Sequence, residues 1–382
     1  MYSQQYSAEA QLMHKIKITE LKSILASEKK LLQTIKKDLR KLKKTFSSER
    51  RTLIENEIEE LTIDIEVTIT SEDVLTSITR EGYVKRTSLR SYGASNGEDF
   101  AMREDDYLIR LLEINTTDHL LLFTNKGNYI FIPVHELPDI RWKDIGQHIS
   151  NIVSIERDEY IVESIPVRDF KTNDFLIFFT KNGMVKKSEL KLYEAQRYSR
   201  PLIAMNLKDG DEVISVNQTS GNSDIFVASN SGYGLWYHES EITPVGLRAS
   251  GVKSIQLKEN EHVVNGQVFD DMSDPSLVVV TQRGACKRMT LKDFEQTTRA
   301  RRGLLMLREL KSKPHRIEGF FITSDEDIIS FRTENGEKHE INPIELPVSD
   351  RYSNGSFVID SDNHGEIDSV WKEAKYEAPY EN

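Results

Sequence analysis

Six cations stand in three pairs whose spacing suits the capture of a polyanion. Lys85-Arg86, Lys186-Lys187 and Lys287-Arg288 each lie three and four residues past a glycine, namely Gly82, Gly183 and Gly284. More cations trail the same glycines: Arg90 after the first, Lys191, Arg197 and Arg200 after the second, and Lys292, Arg299, Arg301 and Arg302 after the third. Lys and Arg hold a nucleic-acid backbone by releasing condensed counterions, and a duplex offers a phosphate charge about every 1.7 Å of its axis. Contacts of this kind position DNA without reading its sequence. The same side chains could serve only to solvate exposed strands in a chain with 51 Lys+Arg against 62 Asp+Glu and a net charge of -11. Their regular spacing favours the binding role, because patches of one sign persist locally once screening acts over about 10 Å at 0.1 M salt.

Other chemistry finds no matching constellation. No G-x-x-x-x-G-K-[ST] or G-x-G-x-x-G run occurs, and Gly232-Tyr233-Gly234 reads as turn chemistry. The 9 histidines are scattered without an H-E-x-x-H, so His135, His238 and His315 read as loop or strand-edge residues. Cys286, the single cysteine, excludes an internal disulfide framework and a multi-cysteine zinc site, and it reads as a packed thiol. Glu104, Asp105 and Asp106 form one tight carboxylate run in a polar loop. No catalytic residue, metal site or cofactor is expected in this chain. No run approaches the roughly 18 apolar residues of a membrane helix, and the start lacks the basic and apolar regions of a signal peptide, which suggests a cytoplasmic protein.

The elements that must position the cations repeat. An apolar strand, a Thr or Ser, two residues, a glycine and a second strand recur six times, at Gly82, Gly127, Gly183, Gly232, Gly284 and Gly336. Glycine suits a tight hairpin because it takes φ > 0 without a Cβ clash. Between hairpins a second phrase recurs from Pro201, Gly251 and Gly303, each reading as two more strands about a turn. Four strands per repeat, packed radially around an axis, bury these apolar stretches economically. The expected fold is therefore mainly β, a six-bladed propeller-like disc over residues 67–360. At the second, fourth and sixth repeats the equivalent positions hold Ile130-Phe131, Leu235-Trp236 and His339-Glu340. An apolar face such as Leu235-Trp236-Tyr237 could alternatively dock a partner protein.

Residues 1–66 read as a helical coiled-coil neck. Leu32, Ile35, Leu39, Leu42 and Phe46, with Leu21 and Leu25 upstream, form one apolar stripe on a long helix, among 13 basic and 4 acidic residues from Gln11 to Arg51. Ile54, Ile58 and Leu61 suggest a second helix, which gives way to strand near Ile63. Residues 361–382 read as an acidic tail that begins as a possible closing strand and ends loose.

Several phrases together resemble one family. Thr79 to Phe100, His119 to Ser150, Gly246 to Lys258 and Thr281 to Met289 look like the C-terminal DNA-wrapping domain of bacterial type IIA topoisomerase A subunits. The neck resembles the end of the coiled-coil arm in those proteins. The resemblance implies a β-pinwheel, a six-bladed propeller whose blades exchange strands, and a non-catalytic module that bends duplex DNA. Gyrase members carry a Gln-Arg-Arg-Gly-Gly-Lys-Gly box where this chain has Ser91 to Gly97, SYGASNG, so the resemblance is to Gram-positive topoisomerase IV; a gyrase-type wrapping domain is the alternative. Implied with it are double-stranded DNA as partner, the topoisomerase IV B subunit in an A2B2 heterotetramer of the full enzyme, and ATP and Mg2+ used by other parts of that enzyme. Decatenation and relaxation during chromosome segregation follow from the same source, as do nucleoid association and peripheral membrane association of the full enzyme, whereas the isolated piece should be monomeric. Lys85, Arg86, Lys186, Lys187, Lys287 and Arg288 are the expected phosphate contacts, backed by Arg90, Lys191, Arg197, Arg301 and Arg302.

Overall fold

A computed structural model of the chain describes residues 2–48, 69–270 and 275–378. It divides into two units, Met1–Ile65 and Glu66–Asn382.

In the first unit the stripe does not ride one continuous helix. Helices Tyr2–Leu25 and Glu28–Phe46 are separated at Ser27, whose φ of -138° and ψ of 109° are extended. Serine favours the residue before a helix and Glu28 suits the positive end of the helix that follows, so the sequence Ser27-Glu28 restarts the helix. No residue of the second helix is buried, and Leu32, Ile35, Leu39, Leu42 and Phe46 remain exposed. The helix expected around Ile54, Ile58 and Leu61 and the turn to strand near Ile63 lie outside the described residues.

The second unit is a six-bladed β-propeller of small sheets. Its blades are built on the antiparallel hairpins Asp73–Thr79/Tyr83–Ser88, His119–Thr124/Asn128–Pro133, Phe175–Thr180/Met184–Glu189, Asp224–Ser229/Tyr233–His238, Ser276–Thr281/Ala285–Thr290 and Ile329–Thr333/Lys338–Ile341, numbered here blades 1 to 6. The recurring Thr or Ser explains the turn. Its carbonyl accepts the N–H of the glycine three residues on in every blade, at 2.8–3.1 Å. In four blades its hydroxyl also accepts the N–H of the residue after the glycine, as Thr79 does from Tyr83, Thr180 from Met184, Ser229 from Tyr233 and Thr281 from Ala285. All six glycines have φ between 76° and 91°, the conformation the hairpin demands. Buried Asp106 and Asp211 fasten the turns from behind, each accepting a hairpin N–H, from Glu81 and Asn182 respectively. The Glu104–Asp106 run is thus in part a turn clamp.

The chain then exchanges strands between blades. After each hairpin from blade 2 onward it returns to the preceding blade, pairs there for two residues, and comes back to add the inner strand of its own blade. Gln147–His148 joins blade 1, Leu202–Ile203 blade 2, Val252–Lys253 blade 3, Leu304–Leu305 blade 4 and Ser356–Phe357 blade 5. The second recurring phrase is therefore two strands, as expected, but the two belong to different blades. Gly146, Pro201, Gly251, Gly303 and Gly355 each stand immediately before a returning strand. The reason is steric: a Cβ at Gly251, Gly303 or Gly355 would collide with the carbonyl oxygen of Val185, Gly234 or Cys286 on the receiving hairpin. Among the described residues blade 6 receives no such strand and has three.

Apolar cores form between successive blades. Ile78, Leu120 and Ile130 lie between blades 1 and 2, Phe123 and Phe178 between 2 and 3, Phe179 and Val227 between 3 and 4, Phe226 and Val279 between 4 and 5, and Val280 and Phe331 between 5 and 6. Leu235 and Tyr237 are 1% and 0% exposed in these cores, so of the alternative apolar docking face of blade 4 only the half-buried Trp236 is not interior. The thiol of Cys286 is buried too, and burial pushes it up to about 12.

Where blade 6 meets blade 1 the contacts are of another kind. Tyr107 stacks on Trp371 at 4.6 Å, and the Arg332 guanidinium donates to the carbonyls of Glu104 and Asp105 at 3.0 Å. The expected loose tail is structured here. Ile367–Lys372 is the inner strand of blade 6, and Tyr376–Glu377 pairs in parallel with the inner strand of blade 1, Leu108–Asn115. Glu377 takes two hydrogen bonds from Arg110, at 3.0 and 2.9 Å, and Tyr376 stacks on Tyr92. The propeller thus runs to Glu377 rather than stopping near residue 360.

Substituting Gly303→Ala should destabilise the propeller by about 2 kcal/mol or more, since it adds strain at φ > 0 to a backbone collision. Gly336→Ala, where an added Cβ meets nothing within 4 Å, should cost less despite its φ of 82°. Thermal melts of the two variants measure the difference.

Candidate nucleic-acid interface

The lysines that stand out in the sequence point inward. Lys85, Lys186 and Lys287 are 1%, 0% and 1% exposed. Each places its ammonium among backbone carbonyls of a returning segment. Lys85 Nζ donates to Arg141, Trp142 and Asp144 carbonyls at 3.2, 2.7 and 2.6 Å. Lys287 Nζ donates to Asp350, Arg351 and Ser353 at 2.9, 3.2 and 2.8 Å, and Lys186 Nζ to Leu247 at 2.6 Å and to Ala204. An ammonium has three donors and no acceptor, so a ring of carbonyls satisfies it and is satisfied by it. Burial lowers all three to about 8, partly offset for Lys85 by Asp144 and for Lys287 by Asp350. Lys187 is also buried, 2.6 Å from the carboxylate of the fully buried Glu239, which accepts in turn from Thr219 and the Ser223 N–H. These four side chains are occupied within the fold and do not reach a phosphate on the surface. The physical reason is that the strand carrying them is covered by the returning strand.

Arg86 and Arg288 differ. They occupy the next position of the same strands, are half-buried, and keep a buried Nε with no hydrogen-bond acceptor. Trp236, their counterpart in blade 4, has its indole N–H in the same condition.

The cations that remain outside sit elsewhere along the chain. The inner strands converge on a cavity of about 360 Å³ lined by Ile109, Val162, Ser215, Asn265, Gly319 and Trp371. That volume excludes a duplex, whose major groove alone is about 12 Å wide. Burial, with the charges of Glu366 and Asp368, raises Glu318 there to about 7. The opposite edge of each sheet is the returning strand, and the segment leading into it carries arginine on every blade that has one. These are Arg141 with Lys143, Arg197 with Arg200, Arg248, Arg299 with Arg301 and Arg302, and Arg351, all within five residues of the Gly or Pro that opens the strand.

Arg197, Arg200 and Arg248 are exposed, and among the described residues their side chains make no hydrogen bond or ion pair; the same holds for Arg90, in the short helix Leu89–Gly93. Arg301 is exposed and bonded only to Thr298, at 3.2 Å. Lys191 is exposed but lies 2.7 Å from Glu189. Arg302 is committed to Glu261, which that bond lowers to about 2, and lies over the Tyr233 ring at 3.9 Å. Arg299 and Arg351 spend donors on the carbonyls of Glu241, Lys253 and Leu305. Of the eleven expected contacts, the structure therefore leaves Arg90, Arg197 and Arg301 open on the surface, Arg86 and Arg288 partly open, and Lys191 and Arg302 paired. Sequence reasoning missed Arg141, Arg248 and Arg351. The signal available was an arginine shortly before each inter-hairpin Gly or Pro.

Ser91 to Gly97 carries no cation and none of its residues is buried, though Tyr92 is half-buried. Tyr92 and Phe100 pack on Trp142, whose indole N–H donates to the Glu98 carbonyl at 2.7 Å.

Known proteins share this arrangement. The model of the family described as "DNA gyrase C-terminal domain, beta-propeller" matches residues 73–97, 118–168, 174–220, 223–270 and 275–324, which covers five blades and leaves blade 6 unmatched. The A subunit of DNA topoisomerase 4 from Bacillus subtilis (strain 168) is 54% identical over 356 residues, 93% of this chain and 44% of that protein. The Staphylococcus aureus (strain MRSA252) protein of the same name is 45% identical over 352 residues, 92% and 44%. The chain thus spans under half the length of these relatives. A crystal structure of the C-terminal domain of DNA topoisomerase IV superposes with a TM-score of 0.77 at 56% identity, covering 80% of this chain and 94% of that one. The DNA gyrase A C-terminal domain, at TM-score 0.59 and 20% identity over 79% of this chain and all of that one, shares the fold. A propeller with this strand exchange, matched over five of its blades, places the chain in the DNA gyrase C-terminal domain β-propeller family, where it resembles the A subunits of topoisomerase IV.

Proposed function

We propose that the outer edge of the propeller binds double-stranded DNA and bends it, largely without regard to sequence. The observation that carries this reading is the row of exposed, partner-free arginines in the returning segments, Arg197, Arg200 and Arg248, with Arg90 and Arg301 beside the same edge. An unpaired guanidinium is free to exchange water and counterions for phosphate. Bending 20–30 base pairs by 40–90° costs on the order of 1–6 kcal/mol, so contacts on several blades must act together, and arginines on successive returning strands supply that distribution.

The biological setting we propose follows the relatives' name. Within a longer topoisomerase chain this module presents a duplex to a type II enzyme that decatenates and relaxes DNA during chromosome segregation, in the cytoplasm at the nucleoid. It works with the B subunit in an A2B2 assembly, and ATP and Mg2+ act through other parts of that enzyme. The uncharged Ser91–Gly97 segment supports the topoisomerase IV reading over a gyrase-type wrapping domain.

Duplex affinity measured against salt tests the interface. An Arg197→Gln, Arg200→Gln, Arg248→Gln variant should lower the slope of log K against log salt by about 0.9 for each phosphate no longer neutralised. An unchanged slope would reject these residues. Lys287→Met should leave the slope of the folded protein intact yet reduce stability by about 2–4 kcal/mol, because it orphans three buried carbonyls.

A further inference from the structure

Among the described residues no fourth strand pairs with the outer edge of blade 6, and close to that edge three side chains converge that the DNA-binding reading does not use. Glu337 follows the hairpin glycine, His339 lies on the edge strand Lys338–Ile341, and His364 ends the short helix Ser361–His364 that leads into the inner strand. Glu337 Oε2 lies 3.3 Å from His339 Nε2 and 2.7 Å from His364 Nδ1. One ligand atom from each residue falls within 4.8 Å of the others, and among the described residues no other three His, Cys, Asp or Glu side chains do so. The imidazoles cross at 83° with centroids 5.8 Å apart, so their ring nitrogens converge instead of stacking. His339 is steadied by Phe331, whose ring lies 5.4 Å away at 21°. The two histidines line an open cleft of about 640 Å³ with Phe357, Asp360 and Arg283, which gives an ion access. The Arg283 guanidinium is engaged with the Lys313 carbonyl at 2.8 Å and with His315.

We propose that Glu337, His339 and His364 form a binding site for a divalent transition metal of the zinc class, with water in the fourth position. Two imidazole nitrogens and one carboxylate oxygen are a ligand set this class accepts, whereas Mg2+ and Ca2+ prefer oxygen alone. Ligand bonds of about 2.0–2.2 Å in a tetrahedron require donor atoms a little over 3 Å apart. The Glu337–His339 pair already meets this, and the Glu337–His364 hydrogen bond needs only to open slightly as the ion replaces its proton. Such an ion would link the hairpin to the segment that enters the inner strand of the same blade. Blade 6 lies outside the residues that the family model matches.

Calorimetric titration of the 382-residue chain with ZnCl2 is the test, run beside melting curves and Co2+ absorption spectra. The expected result is about one equivalent of zinc bound, a higher melting temperature, a tetrahedral Co2+ spectrum and no response to Mg2+. His339→Ala and His364→Ala should each weaken binding by about tenfold or more. Both side chains are partly exposed, so their metal-free melts should match the parent, and the isosteric Glu337→Gln variant gives the same readout if either fails to fold. Absence of zinc binding, or equal affinity in the double histidine variant, overturns the site. Neither result bears on the salt dependence of DNA binding, which uses other blades.

Discussion

The architecture depends on a charge buried at the point of strand exchange. A returning strand two residues long offers few backbone pairs of its own, and the loop that carries it brings carbonyls into the interior that no ladder satisfies. In blades 1, 3 and 5 a lysine ammonium collects those carbonyls, three of them at Lys85 and at Lys287. Burying an ammonium is costly unless every donor is used, and leaving carbonyls unpaired is costly as well. Each solves the other's problem, and the combination holds a loop from one repeat onto the hairpin of the repeat before it. Blades 2 and 4 place Ile130 and Leu235 at the same position and rely on apolar packing.

This arrangement divides the cations by task. The lysines on the hairpin strands are covered by the strand they secure, while Arg197, Arg200, Arg248 and Arg301 on the covering segments are exposed. A single feature, the return of the chain to the preceding blade, therefore sequesters one set of charges and displays another along the opposite edge from the axial cavity. The net charge of -11 does not prevent this, because the displayed arginines are grouped by fold and the acids largely occupy other positions, some of them interior, such as Asp106, Asp211 and Glu239.

The fold was legible because its determinants are local. A Thr or Ser, a glycine three residues later and apolar strands on either side specify a hairpin by steric and hydrogen-bonding rules that act within seven or eight residues, and recurrence specifies the ring. The role of the cations was not legible, since charge type and spacing are the same whether a lysine meets phosphate or carbonyl. Lys85 and Arg141 are 56 positions apart, and only the exchanged strand brings them together. The alternation between odd and even repeats reflects two ways of fixing a loop, which a count of charges reads as three binding sectors. The tail misled for a similar reason. Acidic composition suggested a loose end, whereas Glu377 finds Arg110 267 residues earlier. The break at Ser27 was missed because the apolar period continues across it while the backbone does not.

Strand exchange makes each blade the guarantor of its predecessor, so the circle is assembled like overlapping shingles, and among the described residues the last course has no cover. That course is blade 6, and the join it makes with blade 1 rests on stacked rings, guanidinium contacts and a two-residue parallel pairing instead of an apolar core. Tension applied around the circumference is concentrated at this join. Breaking those contacts would part the circle without unravelling any hairpin.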